Sequence, residues 1–259
     1  MKEHYSAIVL GATYYGLGYA SAHPDCLILE EFQTVGGDFH HCLHPVSMDA
    51  DGLRAWDTPI GRLMREYGAW TEDGFDLLKA SPVAHEFAAR RMTDGMDILL
   101  DARIISVDKN ETGVTVTYIT NEGIASVTAG RLVDATADCG SDPDSVRCTA
   151  KSLNVFTVAM GPDLEEKLKT VRPDVRILDG FHENEKLICF PVPAEETMTH
   201  AYRGVMETWK KAFPGGEEKI LFVADDFDAE FEPVDGGNPD WAGVRAANPM
   251  AAFLKGAEA

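Results

Sequence analysis

Residues 6–18 read Ser-Ala-Ile-Val-Leu-Gly-Ala-Thr-Tyr-Tyr-Gly-Leu-Gly. The apolar run that ends at Leu10 predicts a strand, Gly11 a tight turn, and residues 15–22 a short helix that Pro24 and Asp25 terminate. A second apolar run, residues 26–29, ends in Glu30 and Glu31. Strand, glycine turn, helix, strand is a βαβ unit with a parallel pair. The spacing Gly11-x-Thr13-x-x-Gly16 is a variant of the dinucleotide-binding turn G-x-G-x-x-G. Gly11 serves the turn and Gly16 lets the helix approach the strand. Thr13 stands where a middle glycine would let backbone approach a pyrophosphate, with Tyr14 and Tyr15 behind it. Amide N–H groups at the helix start, aided by the helix dipole, would face the phosphates.

Glu30 lies 19 residues after Gly11, at the end of the second strand, where a carboxylate can accept from ribose hydroxyls. Gly36 and Gly37 follow six and seven residues later. That order is rarer than the turn alone, and it predicts a nucleotide-binding segment.

The bulk properties narrow the partners. The chain has 259 residues, 45% of them hydrophobic, enough for one large or two small domains with a real core. Its 43 acidic against 23 basic residues give a formal net charge of -20, which repels nucleic-acid backbones and anionic lipid. Five cysteines, Cys26, Cys42, Cys139, Cys148 and Cys189, are odd in number and scattered, without C-x-x-C. Reduced thiols in a cytoplasmic setting are expected, not a disulfide framework. The start, Met-Lys-Glu-His-Tyr, lacks a leader's apolar region, and no run reaches the roughly 18 apolar residues of a membrane span.

Residues 38–82 read as irregular with one helix at 60–67, and residues 83–97 as a helix. Strands are expected at 98–108, 114–120, 125–129 and 131–135, as a β-meander or hairpin set. Further strands are expected at 152–160, 187–192 and 220–224. A helix at 197–213 would bury Tyr202, Val205, Met206, Trp209 and Phe213. Residues 225–240 read as acidic loop, and Asn248-Pro249 as the start of a last helix.

The chain resembles the FAD-dependent oxidoreductases of the glutathione-reductase-type fold, in particular the fumarate-reductase-like flavoproteins. Residues 7–18, 27–37, 101–107 and 132–138 carry the resemblance, over roughly the first 140 residues. It implies FAD as cofactor, with Gly36 and Gly37 lying along pyrophosphate and flavin. It also implies that the strand carrying Ile104 and Ile105 passes the adenine, and that Ala135, Thr136 and Ala137 close the nucleotide site. Residues just after Gly37 would approach the isoalloxazine, which makes His40, His41 and Cys42 candidates for an acid/base group, a redox thiol or a flavin attachment point.

A metal centre is not expected. His40, His41, Cys42 and His44 crowd together, but neighbouring side chains on a strand point opposite ways and no second cluster completes a ligand set. Cys139 reads as an inert buried thiol, and Asp225, Asp226 and Asp228 as a solvated loop. The expected architecture is α/β: a Rossmann-like FAD-binding three-layer fold with a β-meander, plus a smaller α+β region. Residues 1–145 would form the FAD/dinucleotide-binding domain. Residues 146–259 would form a substrate or cap region whose C-terminal helix returns to the cofactor. The expected function is FAD-dependent oxidoreduction, with hydride passing between a small-molecule substrate and flavin. A flavin- or nucleotide-binding protein without turnover, acting as sensor or partner subunit, is the alternative, and an NAD(P) enzyme on the same turn is disfavoured by the order Glu30 to Gly36-Gly37. Neither nucleic acid nor membrane is an expected partner. Homo-oligomer and partner subunit are both left open.

Overall fold

The computed structural model describes residues 2–47, 50–72, 74–243 and 246–259. It divides into two compact units, Met1–Asp38 with Val46–Arg147 and Phe231–Ala259, and Phe39–Pro45 with Cys148–Glu230. One division falls between Arg147 and Cys148; residues 39–45 fall in the second unit and residues 231–259 in the first.

In chain order the elements are β1 (His4–Leu10), α1 (Tyr14–Ala22), β2 (Cys26–Leu29), α2 (Gly37–His40), α3 (Ala50–Arg54), α4 (Pro59–Glu66), β3 (Trp70–Thr71), β4 (Gly74–Phe75), α5 (Leu77–Thr93), β5 (Asp97–Leu99), β6 (Arg103–Asn110), β7 (Gly113–Thr120), β8 (Gly123–Asp134), β9 (Val146–Val158), α6 (Leu164–Val171), β10 (Arg176–Asp179), β11 (Glu185–Pro191), α7 (Met198–Ala212), β12 (Ile220–Val223), β13 (Asp228–Pro233) and α8 (Pro249–Glu258).

The first unit is built on a sheet of order β5-β2-β1-β8-β7-β6. β1 pairs in parallel with β2, Ala7 against Cys26 through Leu10 against Leu29, and with β8 on its other side. The meander β6-β7-β8 is antiparallel. Alternation decides the layers. Ile8 and Leu10 of β1, with Leu27 and Leu29, share one buried cluster with Val114, Val116, Tyr118 and Val127 of the meander. The intervening Val9 faces α1, whose Gly16 lies against it. Meander, parallel sheet and helices therefore make three layers, and the Rossmann-like α/β expectation holds. α8 packs on α1, and Phe253 of α8 meets Phe87 of α5 edge-on, ring centroids 5.7 Å apart.

Several element expectations change. The strands expected at 125–129 and 131–135 are one strand, β8, because Thr128 and Ala129 pair with both β7 and β1 and leave no break at Gly130. The strand expected at 98–108 is two. Asp101, at φ 56, turns the chain from the parallel β5 to the antiparallel β6; a short polar side chain is among the few that tolerate that conformation. α5 begins at Leu77 rather than 83, capped by the Asp76 carboxylate on the Leu78 and Lys79 amides at 3.1 and 3.3 Å. Pro82 sits inside the helix. α8 starts as expected, with Asn248 Oδ1 accepting from the Ala251 amide at 2.8 Å.

The second unit holds the antiparallel sheet β10-β11-β9-β12, with β13 also on β9, and the helices α6 and α7. Neither α6 nor β13 was expected; β13 lies in the stretch read as acidic loop, and its backbone is held by pairing with β9. The buried face of α7 is Ala201, Val205, Thr208, Trp209 and Ala212, so Tyr202 is exposed and Met206 half-buried, a rotation of about one position from the expected stripe. No helix among the described residues is long and apolar enough to cross a membrane.

Candidate functional site

The glycine turn joins β1 to α1. Gly11 has φ +91, and a Cβ there would meet Thr13, Thr136 and the Ala135 backbone at 3.3 to 3.4 Å. Its N–H donates to the Leu29 carbonyl at 2.8 Å, which pins the turn to the end of β2. A Cβ on Gly16 would lie 2.2 Å from the Gly11 carbonyl oxygen. The two glycines thus have the roles expected of them: one makes the turn, the other lets the helix start directly above it.

Thr13 is the N-cap of α1, its hydroxyl oxygen accepting from the Gly16 amide at 3.0 Å. Tyr14 is fully buried, and its ring fills the space beside Gly36: a Cβ on Gly36, at φ +70, would stand 2.8 Å from the ring. Burial, together with nearby Asp38, holds the Tyr14 phenol well above its ordinary pKa. Tyr15 is half-buried, and its phenol is raised by burial against the lowering effect of Arg131.

Glu30 is buried, and its carboxylate ties the turn together. One oxygen accepts from the Ala12 amide at 2.6 Å and the other from the Phe32 amide at 2.9 Å. Burial raises its pKa above the ordinary glutamate value, against the lowering effect of those two amides. A carboxylate offers about four acceptor positions, more than these amides use. Glu31 is exposed and pairs with Arg103 at 3.5 Å.

Beyond β5 the chain returns to this corner. Ala102 N–H donates to Glu30 O at 2.9 Å and Asp101 N–H to Phe32 O at 3.2 Å. Ile104 is packed on the core between sheet and meander, while Ile105, next along β6, is about half exposed. Ala135 N–H donates to Leu10 O at 2.8 Å, which sets Ala135 and Thr136 directly beside Gly11. Gly11, Thr13, Gly16, Glu30, Ala135 and Thr136 are therefore brought together, as are Tyr14 and Gly36. Gly37 opens α2, and Ala137 follows in the turn after Thr136.

Two groups of residues at this corner were missed. Asp38 Oδ1 accepts from the Tyr14 amide, the first N–H of α1, at 3.2 Å. Asp134 is fully buried, and its carboxylate accepts from the Thr136 amide at 3.0 Å, the Thr136 hydroxyl and the Ser141 amide at 2.7 Å. Trp241 bridges in parallel to Asp134 and donates its indole N–H to Thr136 O at 2.9 Å. A carboxylate at a strand end, two residues before a Thr, was the signal available for Asp134; none marked Trp241, more than a hundred residues away.

His40, His41 and Cys42 belong to the second unit. His40 and His41 are half-buried. The Cys42 thiol is buried, 3.9 Å from the Phe39 carbonyl. Asn154 donates to the Cys42 and Leu43 carbonyls at 3.0 and 3.1 Å and to Asp228 at 3.1 Å. Asp228 also accepts from His44 Nδ1 at 2.8 Å, so this Asp is built into structure rather than left in a solvated loop. The His41 carbonyl accepts from the Asp225 and Asp226 amides at 2.8 and 3.1 Å.

No family model matches the chain, and no curated protein sequence matches it. Solved structures do. It is similar to p-nitrophenol 4-monooxygenase PnpA from Pseudomonas putida DLL-E4, with TM-score 0.61 and 12% identity over 98% of this chain and 76% of that one. It is similar to BexE, a protein of oxidation during BE-7585A biosynthesis, with TM-score 0.66 and 15% identity over 96% of this chain and 60% of that one. A flavoprotein/dehydrogenase from Cytophaga hutchinsonii gives TM-score 0.63 and 13% identity over 99% and 76%. The flavin-dependent monooxygenase PieE, in complex with FAD and substrate, gives TM-score 0.51 and 15% identity over 89% and 50%. The chain spans between half and about three quarters of these proteins' lengths. What it shares with them is the fold, the Rossmann-like α/β architecture of FAD-binding flavoproteins.

Proposed function

We propose that this chain is an FAD-dependent oxidoreductase in which hydride passes between a small-molecule substrate and the flavin. The observation that carries the reading is the corner just described: a glycine turn at the start of α1, a buried glutamate at the end of β2 and the Ala135-Thr136 turn converge in a fold shared with flavin-dependent monooxygenases. The residues fit the cofactor. An anionic oxygen, that of Asp38, already rests on the first amide of α1, where a phosphate oxygen would stand. Glu30 has acceptor capacity left for ribose hydroxyls, and Gly11, Thr13, Tyr14, Tyr15, Gly16 and Gly36 would border the pyrophosphate, with Glu31, Gly37, Ile104, Ile105, Ala135, Thr136 and Ala137 in the outer contacts. FAD would supply the redox chemistry; the chain would hold and orient it. The motif order supports kinship with the glutathione-reductase-type, fumarate-reductase-like flavoproteins, and free thiols suit a cytoplasmic setting. Visible flavin absorption in the purified protein, or saturable FAD uptake by apoprotein, is the expected result. Apoprotein that takes up no FAD overturns the reading.

His40, His41 and Cys42 are proposed as the side chains nearest the reactive ring, a reading supported by chain order, since they stand three to five residues beyond Gly37. Single Ala substitutions are expected to change the reduction rate or reduction potential of bound flavin. Three variants matching the parent in both would remove the assignment. A second reading, nucleotide binding without turnover as a sensor or partner subunit, is favoured by one feature: the Ala12, Tyr14 and Gly16 amides are already held by the chain's own Glu30, Asp38 and Thr13. Bound flavin that no nicotinamide donor reduces would select it.

A further inference from the structure

Asp38 sits at an unusual place for an acid. α1 has nine residues, and its first turn contains no acidic side chain of its own. The partial positive charge of its N-terminus is met instead from outside the helix, by the Asp38 carboxylate on the Tyr14 amide at 3.2 Å. Asp38 is held there by local structure. It follows Gly36 and Gly37 at the start of α2; Gly36 N–H donates to the Ala12 carbonyl at 2.7 Å; and the Tyr14 ring lies against Gly36, at φ +70. The segment carrying Asp38 is therefore fastened to the same turn that its carboxylate caps.

We infer that Asp38 is an internal anion that closes the phosphate cradle of the ligand-free protein and must leave the Tyr14 amide when a dinucleotide's diphosphate binds. The inference rests on the dinucleotide reading of this corner. Two anionic groups cannot share one N–H without a large repulsive cost in a half-buried position. A diphosphate brings more negative charge and more acceptor oxygens than one carboxylate, and its adenosine half is anchored separately at Glu30, so it can displace Asp38 where a single weak anion does not. Asp38 thereby sets the threshold of affinity at the site, and its capping bond stabilises the ligand-free protein.

The two consequences have opposite signs, which separates this role from a merely structural one. Asp38→Asn keeps the size and removes the charge. Its apoprotein is expected to melt slightly below the parent, because a carboxylate at a helix N-terminus is lost. The same variant is expected to bind FAD, and ADP as a probe that carries the adenosine and diphosphate without the flavin, on the order of tenfold more tightly, the scale of one displaced charge-assisted bond. Titration of parent and variant apoprotein with FAD by flavin fluorescence, and with ADP by calorimetry, reads both. A Tyr14 amide proton resonance that moves in ligand-free Asp38→Asn supports the capping bond. If the parent binds FAD and Asp38→Asn binds it equally or less tightly, the inference is overturned and the dinucleotide reading survives. If neither protein binds FAD or ADP, both fall together.

Discussion

Gly18→Ala is expected to destabilise the protein by about 3 kcal/mol, at the upper end of overpacking substitutions. A Cβ at Gly18 would lie 1.9 Å from the Phe253 carbonyl oxygen and 2.8 Å from its carbon, both backbone atoms of α8. No rotamer change relieves a clash of backbone with Cβ, so α8 must move off α1, and the contact between Phe253 and Phe87 goes with it. Gly256, on the facing helix, is in the same position: a Cβ there would stand 2.0 Å from the Tyr15 carbonyl oxygen. Gly204 in α7 is the control. Nothing lies within 4 Å of its would-be Cβ. Gly204→Ala is expected to stabilise by roughly 0.5–1 kcal/mol, because alanine is the better helix former and restricts the unfolded chain. Urea denaturation followed by circular dichroism measures both, and equal midpoints for Gly18→Ala and parent would refute the close-approach account.

Glu30→Ala is expected to act on both stability and ligand. Its carboxylate satisfies the Ala12 and Phe32 amides inside a buried corner, and deleting it orphans two donors, at a cost of about 2–4 kcal/mol. FAD retention is expected to fall ten- to a hundredfold, the range for losing a charge-assisted hydrogen-bond pair. The pH dependence carries a sign. Burial raises the Glu30 pKa above its ordinary value of 4.5. The folded state then holds this proton more tightly than the unfolded state does. The ionisation contribution is fully present below 4.5 and is lost as pH rises through the raised value. Between those limits parent stability should decline relative to Glu30→Ala. A stability difference that stays constant across that window would show that Glu30 titrates normally.

Much of the geometry of this corner is legible in the sequence, and the legible part is local. Gly11, Thr13 and Gly16 lie within six residues, and their roles follow from one strand running into one helix. Glu30 required a second strand, but only its parallel neighbour, at a separation that the βαβ unit dictates. The errors arise where a residue answers to a partner far along the chain. Tyr14 and Gly36 meet although neither residue's surroundings announce the other: a Cβ on Gly36 would stand 2.8 Å from the Tyr14 ring. β8 was divided at Gly130 because a glycine inside a short strand reads as a break, whereas pairing on both sides keeps it extended.

Hydrophobic period and turn chemistry act over a few residues, and they suffice for the glycine turn, its strand and helix, the cap at Asn248 and the α/β class. That Asp38 rests on the Tyr14 amide, that Trp241 reaches Thr136, and that Gly18 and Gly256 let two helices touch all follow from the packing of distant segments. Those contacts form when distant segments are packed to close contact, and no spacing within either segment encodes the other's position.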